Sequence, residues 1–289
     1  MSQSATIFGL KRSSWFELFK YAVYVLITVN VVQFFREDYL ATSHTFRSGV
    51  SWAQLTDAYA TTIDSAAWLI LLLIFELETY VIEDEKLVGK TRWGLNILGG
   101  ICFIFVVQAF LGYYDKYSVI NAYALATFDN ACGAVGLVQS YVVDFDEYLG
   151  LTTSNCAAIP GVNWYSHASN SILASAEMFA RMKAMALTDV VNAGTWIVIV
   201  IILQIDVLLQ MRGSLTEKLY RINAYIKAVL YLVLVAAAVY WGYLSAVLDT
   251  WDAMLWIIAF FFIELNLFQW NEETRGAAHD TGATESKAA

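Results

Sequence analysis

Three apolar segments of this chain carry polar residues at the same places. TIDSAAWLILLLIFELE from Thr62, VVNAGTWIVIVIILQID from Val190 and TWDAMLWIIAFFFIELN from Thr250 share one pattern. Each reads Asp or Asn, then Trp, then Glu or Gln, then Glu, Asp or Asn, at Asp64/Trp68/Glu76/Glu78, Asn192/Trp196/Gln204/Asp206 and Asp252/Trp256/Glu264/Asn266. Carboxylates in an apolar segment have two uses. They can line a path for a cation, or they can neutralise a buried cation of the chain itself. If the three segments surround an axis, Asp64, Asn192 and Asp252 make one polar ring. Glu76, Gln204 and Glu264, with Glu78, Asp206 and Asn266, make a second, and acidic rings favour cations. The ion-pathway candidates are therefore Asp64, Asp252, Glu76, Glu78, Asp206 and Glu264. The plainer alternative has Asp64 and Asp252 capping helix starts, where a carboxylate meets free N–H groups. Trp68, Trp196 and Trp256 would then be anchors at the membrane interface.

Three other segments repeat between these: FKYAVYVLITVNVVQFF from Phe19, LNILGGICFIFVVQAF from Leu95 and IKAVLYLVLVAAAVYWG from Ile226. They align Lys20, Asn96 and Lys227. Read hairpin by hairpin, Lys20 stands with Glu76, Asn96 with Gln204 and Lys227 with Glu264. Where one partner loses its charge, so does the other. A buried charge without its counter-charge is costly, so joint loss is what an ion pair permits. The pattern predicts structural pairs Lys20–Glu76 and Lys227–Glu264. Glu78 and Asp206 have no evident Lys partner in it.

These residues need long helices to position them. The chain is 59% hydrophobic and 15% charged, with one proline. A soluble domain carries about 25% charged residues, and runs of about 20 apolar residues span a bilayer. Spans are expected at 15–36, 64–83, 93–114, 192–211, 222–244 and 252–271. The fold class is an all-α membrane protein of six transmembrane helices in three repeated antiparallel hairpins. The first hairpin is 15–83 with an outer loop at 37–63. The second is 93–211 with a long outer loop at 115–191, and the third is 218–271. Residues 1–14 form an N-terminal segment and 272–289 a polar, disordered tail.

Lys and Arg set the orientation. Lys11, Arg12, Lys20, Lys86, Lys90, Arg92, Arg212, Lys218, Arg221, Lys227, Arg275 and Lys287 fall on one side of this layout, and only Arg36, Arg47, Lys116, Arg181 and Lys183 on the other. Both termini are expected in the cytoplasm. The segment 117–143 rivals the six as a seventh span, but Asp129 and Asn130 sit at its middle and a seventh span would reverse the charge bias. It is read as a helix lying outside or at the interface.

The loop 115–191 contains Cys132 and Cys156, expected as a disulfide in an oxidising space. It would stabilise the loop by roughly 3 kcal/mol in the chain-entropy model. Asp144, Asp146 and Glu147 match no calcium loop and read as a solvated acidic turn. Met178, Met182 and Met185 lie on one helical face, read as a packing seam. Helix-like stretches before Asp64 and Asn192 suggest a helical cap outside the membrane.

The three histidines, His44, His167 and His279, all fall outside the expected spans, which argues against a His-built metal or haem site in the bilayer. Walker, dinucleotide, HExxH and GxSxG motifs are absent from the sequence. The chain is thus expected to be non-catalytic, with no cofactor, no metal site and no nucleic-acid partner. Its expected partners are the lipid bilayer, a small cation, and a membrane or extracytoplasmic protein. Two functions fit: a channel or transporter for a small cation, or a scaffold or accessory subunit binding proteins through its cap and lateral faces. The expected location is a bacterial inner membrane.

Overall fold

Long uninterrupted apolar runs become long helices. A computed structural model of the chain describes residues 6–7, 10–46, 49–78, 82, 88–144, 147–167, 171–212 and 216–264. Two short strands, β1 (Thr6–Ile7) and β2 (Leu10–Lys11), pair antiparallel and lead into α1 (Arg12–Thr45). There follow α2 (Leu55–Ala58), α3 (Ala60–Glu76), α4 (Lys90–Asn121), α5 (Ala176–Met211), α6 (Glu217–Tyr243) and a further helix, α7, over 247–264. Caps set two of the starts. Ser175 Oγ accepts the Met178 N–H at 3.2 Å before α5, and Thr216 Oγ1 accepts the Leu219 N–H at 3.3 Å before α6.

Four helices are long and apolar enough to cross a membrane: Glu17–Thr45, Lys90–Asn121, Ala176–Asp206 and Lys218–Tyr243. Their outward faces are apolar as well, with Val25, Val32, Ile104, Val229 and Leu232 exposed. A helix that is apolar all round needs lipid or protein on every side, so these faces are compatible with an integral membrane protein. The other two expected spans fall on α3 and α7. α3 has 17 residues, about 26 Å at 1.5 Å per residue, short of a hydrocarbon core of about 30 Å. The ends of those spans, except Ile82, lie outside the described residues. So do Lys86, Asp146, Asn266 and the tail 272–289.

The helices pack in succession, α1 on α3, α3 on α4, α4 on α5 and α5 on α6. α7 closes the bundle onto α1 through Phe19 and Phe262, whose rings meet edge to face at 5.8 Å. One core runs through the middle, with Ile27, Leu72, Val106, Ile199, Leu234 and Ala259 from six helices. At Gly112 an added Cβ would lie 3.2 Å from the Thr56 carbonyl and 3.3 Å from the Ala60 Cβ, so α4 lies close to α2 and α3 there.

The connection between α4 and α5 departs from the all-helical expectation. The segment 117–143 stays helical only to Asn121 and then turns into β structure. Five strands form a sheet in the order β3-β6-β7-β4-β5: β3 (Ala124–Leu125), β4 (Ser140–Asp144), β5 (Glu147–Gly150), β6 (Tyr165–His167) and β7 (Ile172–Ala174). β4 and β7 pair in parallel and the other neighbours antiparallel. The β-branched and aromatic run Tyr141-Val142-Val143 favours a strand once partners exist; β5 follows at once as a hairpin, and β7 lies far along the chain. Asn130 is not buried in a bilayer helix; it caps the short helix Ala131–Ala134, accepting the Gly133 N–H at 3.2 Å.

Cys132 and Cys156 stand at disulfide distance, with Cα atoms 4.8 Å apart, beside a small core of Ala134, Trp164 and Leu173. The sheet rests on projecting helix ends. Val142 and Ile172 pack with Ile120 of α4, Met182 and Met185 of α5, and Trp241 of α6, and Met178 packs against them. His44 Nδ1, near the end of α1, lies 3.1 Å from Ser140 Oγ.

Gly161 holds this connection together at close quarters. Its φ is +148°, and an added Cβ would lie 2.6 Å from the Ser175 Cβ and 3.0 Å from the Trp164 ring. Ser175 is also the residue that caps α5. Gly161→Ala is expected to destabilise the protein by about 1–3 kcal/mol, read as a lower unfolding midpoint. An unchanged midpoint would mean that the loop gives way without loss.

Candidate functional site

The repeated pattern on α3, α5 and α7 comes together near the end of the bundle that carries the sheet. Asp64, Asn192 and Asp252 line one cavity of about 70 Å³, together with Trp68, Trp196 and Trp256, each one helical turn further on. Residues four apart lie on one helix face, so a helix that points its Asp or Asn inward also points its Trp inward. The three tryptophans are buried at 8%, 7% and 6% exposure. They are therefore core residues, and the expectation of interface anchors is corrected.

Other helices complete the walls. α1 contributes Phe34, Glu37 and Asp38, α4 contributes Tyr113 and Lys116, and α6 contributes Trp241. Asp189 and Asp249 stand one turn before Asn192 and Asp252. Six carboxylates thus face the cavity against the single ammonium of Lys116. Low-dielectric walls focus the field of charged groups that line a cavity. Asp252 Oδ1 accepts from Asn30 Nδ2 at 2.8 Å, and Asp64 Oδ2 accepts from the Tyr113 hydroxyl at 3.3 Å. Asp38 Oδ2 accepts both the Thr62 N–H, at 3.0 Å, and its hydroxyl, at 2.6 Å, tying α1 to the start of α3. Three atoms of residues lining the cavity are left buried and without a hydrogen-bond partner among the described residues: Asp64 Oδ1, Asn192 Oδ1 and Trp241 Nε1. Buried polar atoms of this kind are uncommon and call for a water or a ligand.

An aromatic cluster closes the cavity below. The Trp196 and Phe260 rings stand 4.4 Å apart, Trp68 and Phe260 6.1 Å, and Trp68 and Trp196 6.5 Å. Beyond it lies a second cavity of about 580 Å³, which shares Trp68 and Phe260 with the first. Its walls are mainly apolar, among them Leu71, Phe75, Phe103 and Ile201, and its polar lining is Glu78, Asn96 and Gln204.

Three other acidic residues of the pattern, Glu76, Asp206 and Glu264, belong to ion pairs. Lys20 Nζ contacts Glu76, and both side chains are buried. The hydroxyls of Tyr21 and Tyr24 donate to Glu76 at 3.4 and 3.3 Å. Lys227 Nζ lies 3.0 Å from Glu264 and 3.5 Å from Asp206. Asn223 donates to Asp206 at 2.5 Å, and Tyr231 to Glu264 at 3.3 Å. Asp206 therefore does have a lysine, which the hairpin alignment missed because Lys227 pairs across to α5 as well as to α7. Glu76, Glu78, Asp206 and Glu264 do not form one inner ring. Two ion-paired clusters stand apart from the cavity that takes Glu78. That cavity is bordered by Asn96 and Gln204, the pair in which both charges are missing.

Sequence reasoning did not single out Asn30, Asn223, Glu37, Asp38, Asp189 or Asp249. Asn30 and Asn223 each left a signal, as amides within or beside an apolar helical run. The four acids left none, because only the fold turns them toward the cavity. Among the described residues no three His, Cys, Asp or Glu side chains are placed to hold a metal ion. No family model, curated protein or solved structure matches the chain.

Proposed function

We propose that this chain is an integral membrane protein of six spans in three hairpins and that it carries a small cation across the membrane. The sheet end faces outward, both termini face the cytoplasm, and a bacterial inner membrane is the location. The observation that carries the reading is the stacking of two cavities with a shared wall of Trp68 and Phe260. The cation enters the acidic cavity at Asp64 and Asp252, passes the aromatic wall when it opens, and leaves past Glu78. A cation in a low-dielectric site needs nearby counter-charge, which the six carboxylates supply. The ion pairs of Lys20 and Lys227 seal the inner ends of the other two hairpins. No catalytic step is proposed.

The test is cation flux into liposomes holding the purified protein under a voltage or pH gradient. Flux is expected in the wild type and should fall about tenfold or more, the effect of some 1.4 kcal/mol, in folded Asp64→Asn and Glu78→Gln variants. Absence of flux in the wild type would reject transport. It would favour a scaffold that binds proteins through the outer connection, where Trp52, Leu137 and Val162 are 92%, 68% and 71% exposed.

A further inference from the structure

Resting on that reading, we propose that the acidic cavity binds a primary ammonium, either the ammonium ion itself or a small alkylammonium. The unmet groups of the cavity point to this class. Asp64 Oδ1 and Asn192 Oδ1 are buried acceptors with no hydrogen bond of ordinary geometry among the described residues, the Trp68 indole standing near the Asp64 carboxylate. They arrive from α3 and α5, and the Asp252 carboxylate from α7 faces the same space. One Asp252 oxygen takes the Asn30 amide, and a carboxylate has further lone pairs to offer. Three acceptor side chains from three helices match the three N–H donors of an R–NH₃⁺ group, as a lysine head group shows.

Other cations fit the same walls less well. A hard divalent ion takes six or more oxygens in a close shell, and no such group of side chains exists among the described residues. An asparagine in place of the third carboxylate lowers the charge without removing an acceptor, which suits a singly charged ion that donates hydrogen bonds. The indoles of Trp68, Trp196, Trp241 and Trp256 line the space, and indole faces attract ligand ammonium groups. A quaternary ammonium would meet the indoles but has no N–H for Asp64 Oδ1 and Asn192 Oδ1. An anion would face six carboxylates. The volume of about 70 Å³ holds a few water-sized groups, enough for methylammonium and a water that accepts from Trp241, which is 5% exposed with its N–H unpartnered.

The experiment is calorimetric titration of the full-length protein in lipid nanodiscs with methylammonium, tetramethylammonium and sodium chlorides. Saturable methylammonium binding is expected, at least tenfold tighter than binding of the other two. Asn192→Leu and Asp64→Asn should each weaken it by tenfold or more. Equal binding of sodium or tetramethylammonium would overturn the assignment, as would no saturable methylammonium binding or undiminished binding in a folded Asn192→Leu variant. The cation series on the wild type decides the matter even where a variant fails to fold. Sodium or potassium flux without methylammonium binding would remove the ammonium assignment and leave transport standing. Methylammonium binding without any flux would do the reverse.

Discussion

Lys20→Met is expected to destabilise the protein by about 3–5 kcal/mol, the usual cost of leaving one member of a buried ion pair behind. Lys20 and Glu76 are 3% and 4% exposed. Among the described residues Glu76 would keep the two tyrosine hydroxyls at 3.3 and 3.4 Å, which help a carboxylate but do not neutralise it. The double variant Lys20→Met/Glu76→Leu removes both charges and replaces them with apolar groups. It should lose less than Lys20→Met alone, because well-packed apolar residues often replace a buried pair at little cost. A double-mutant cycle by reversible unfolding reads the coupling. Additive losses would show that the contact carries no coupling energy. The corresponding cycle at Lys227 should be weaker pair by pair, since Lys227 shares its charge between Glu264 and Asp206.

Trp68→Ala and Phe260→Ala should have the largest effect on permeation, because these two side chains form the wall common to both cavities. Removing either ring would join the acidic cavity to the apolar one. Cation leak into liposomes is expected to rise tenfold or more. Stability should fall by about 3–5 kcal/mol, as for other large core aromatics cut to alanine. Trp256→Ala is the control. Trp256 is buried and touches the acidic cavity but not the second one, so it should cost similar stability without opening a leak. A leak of equal size from all three variants would mean that unfolding, not the wall, governs permeation. No leak from any of them would remove the aromatic wall from the proposed path.

Much of the helical layout was legible before any coordinates. Long apolar runs with one proline leave the backbone few alternatives to helix in lipid. The expectation that Lys20 faces Glu76, and Lys227 faces Glu264, came from charges present or absent together, and the fold places each pair in contact. Asp64, Asn192 and Asp252 share a cavity because each stands at the same helical phase relative to a buried tryptophan.

The rest was not local. The sheet between α4 and α5 joins β4 to β7, which are separated along the chain by β5, the short helix Cys156–Ala158 and β6. A short apolar run such as Tyr141-Val142-Val143 reads equally as helix or strand until its partners are known. The second partner of Lys227, the convergence of Glu37, Asp38, Asp189 and Asp249, and the burial of the three tryptophans all depend on which helix lies beside which. The sequence by itself determined where the long apolar helices lie and which polar residues must find partners, because backbone satisfaction and charge burial act on each segment separately. Only the tertiary structure decided who those partners are, because helix neighbours and strand pairing join residues whose distance along the chain leaves no periodic trace.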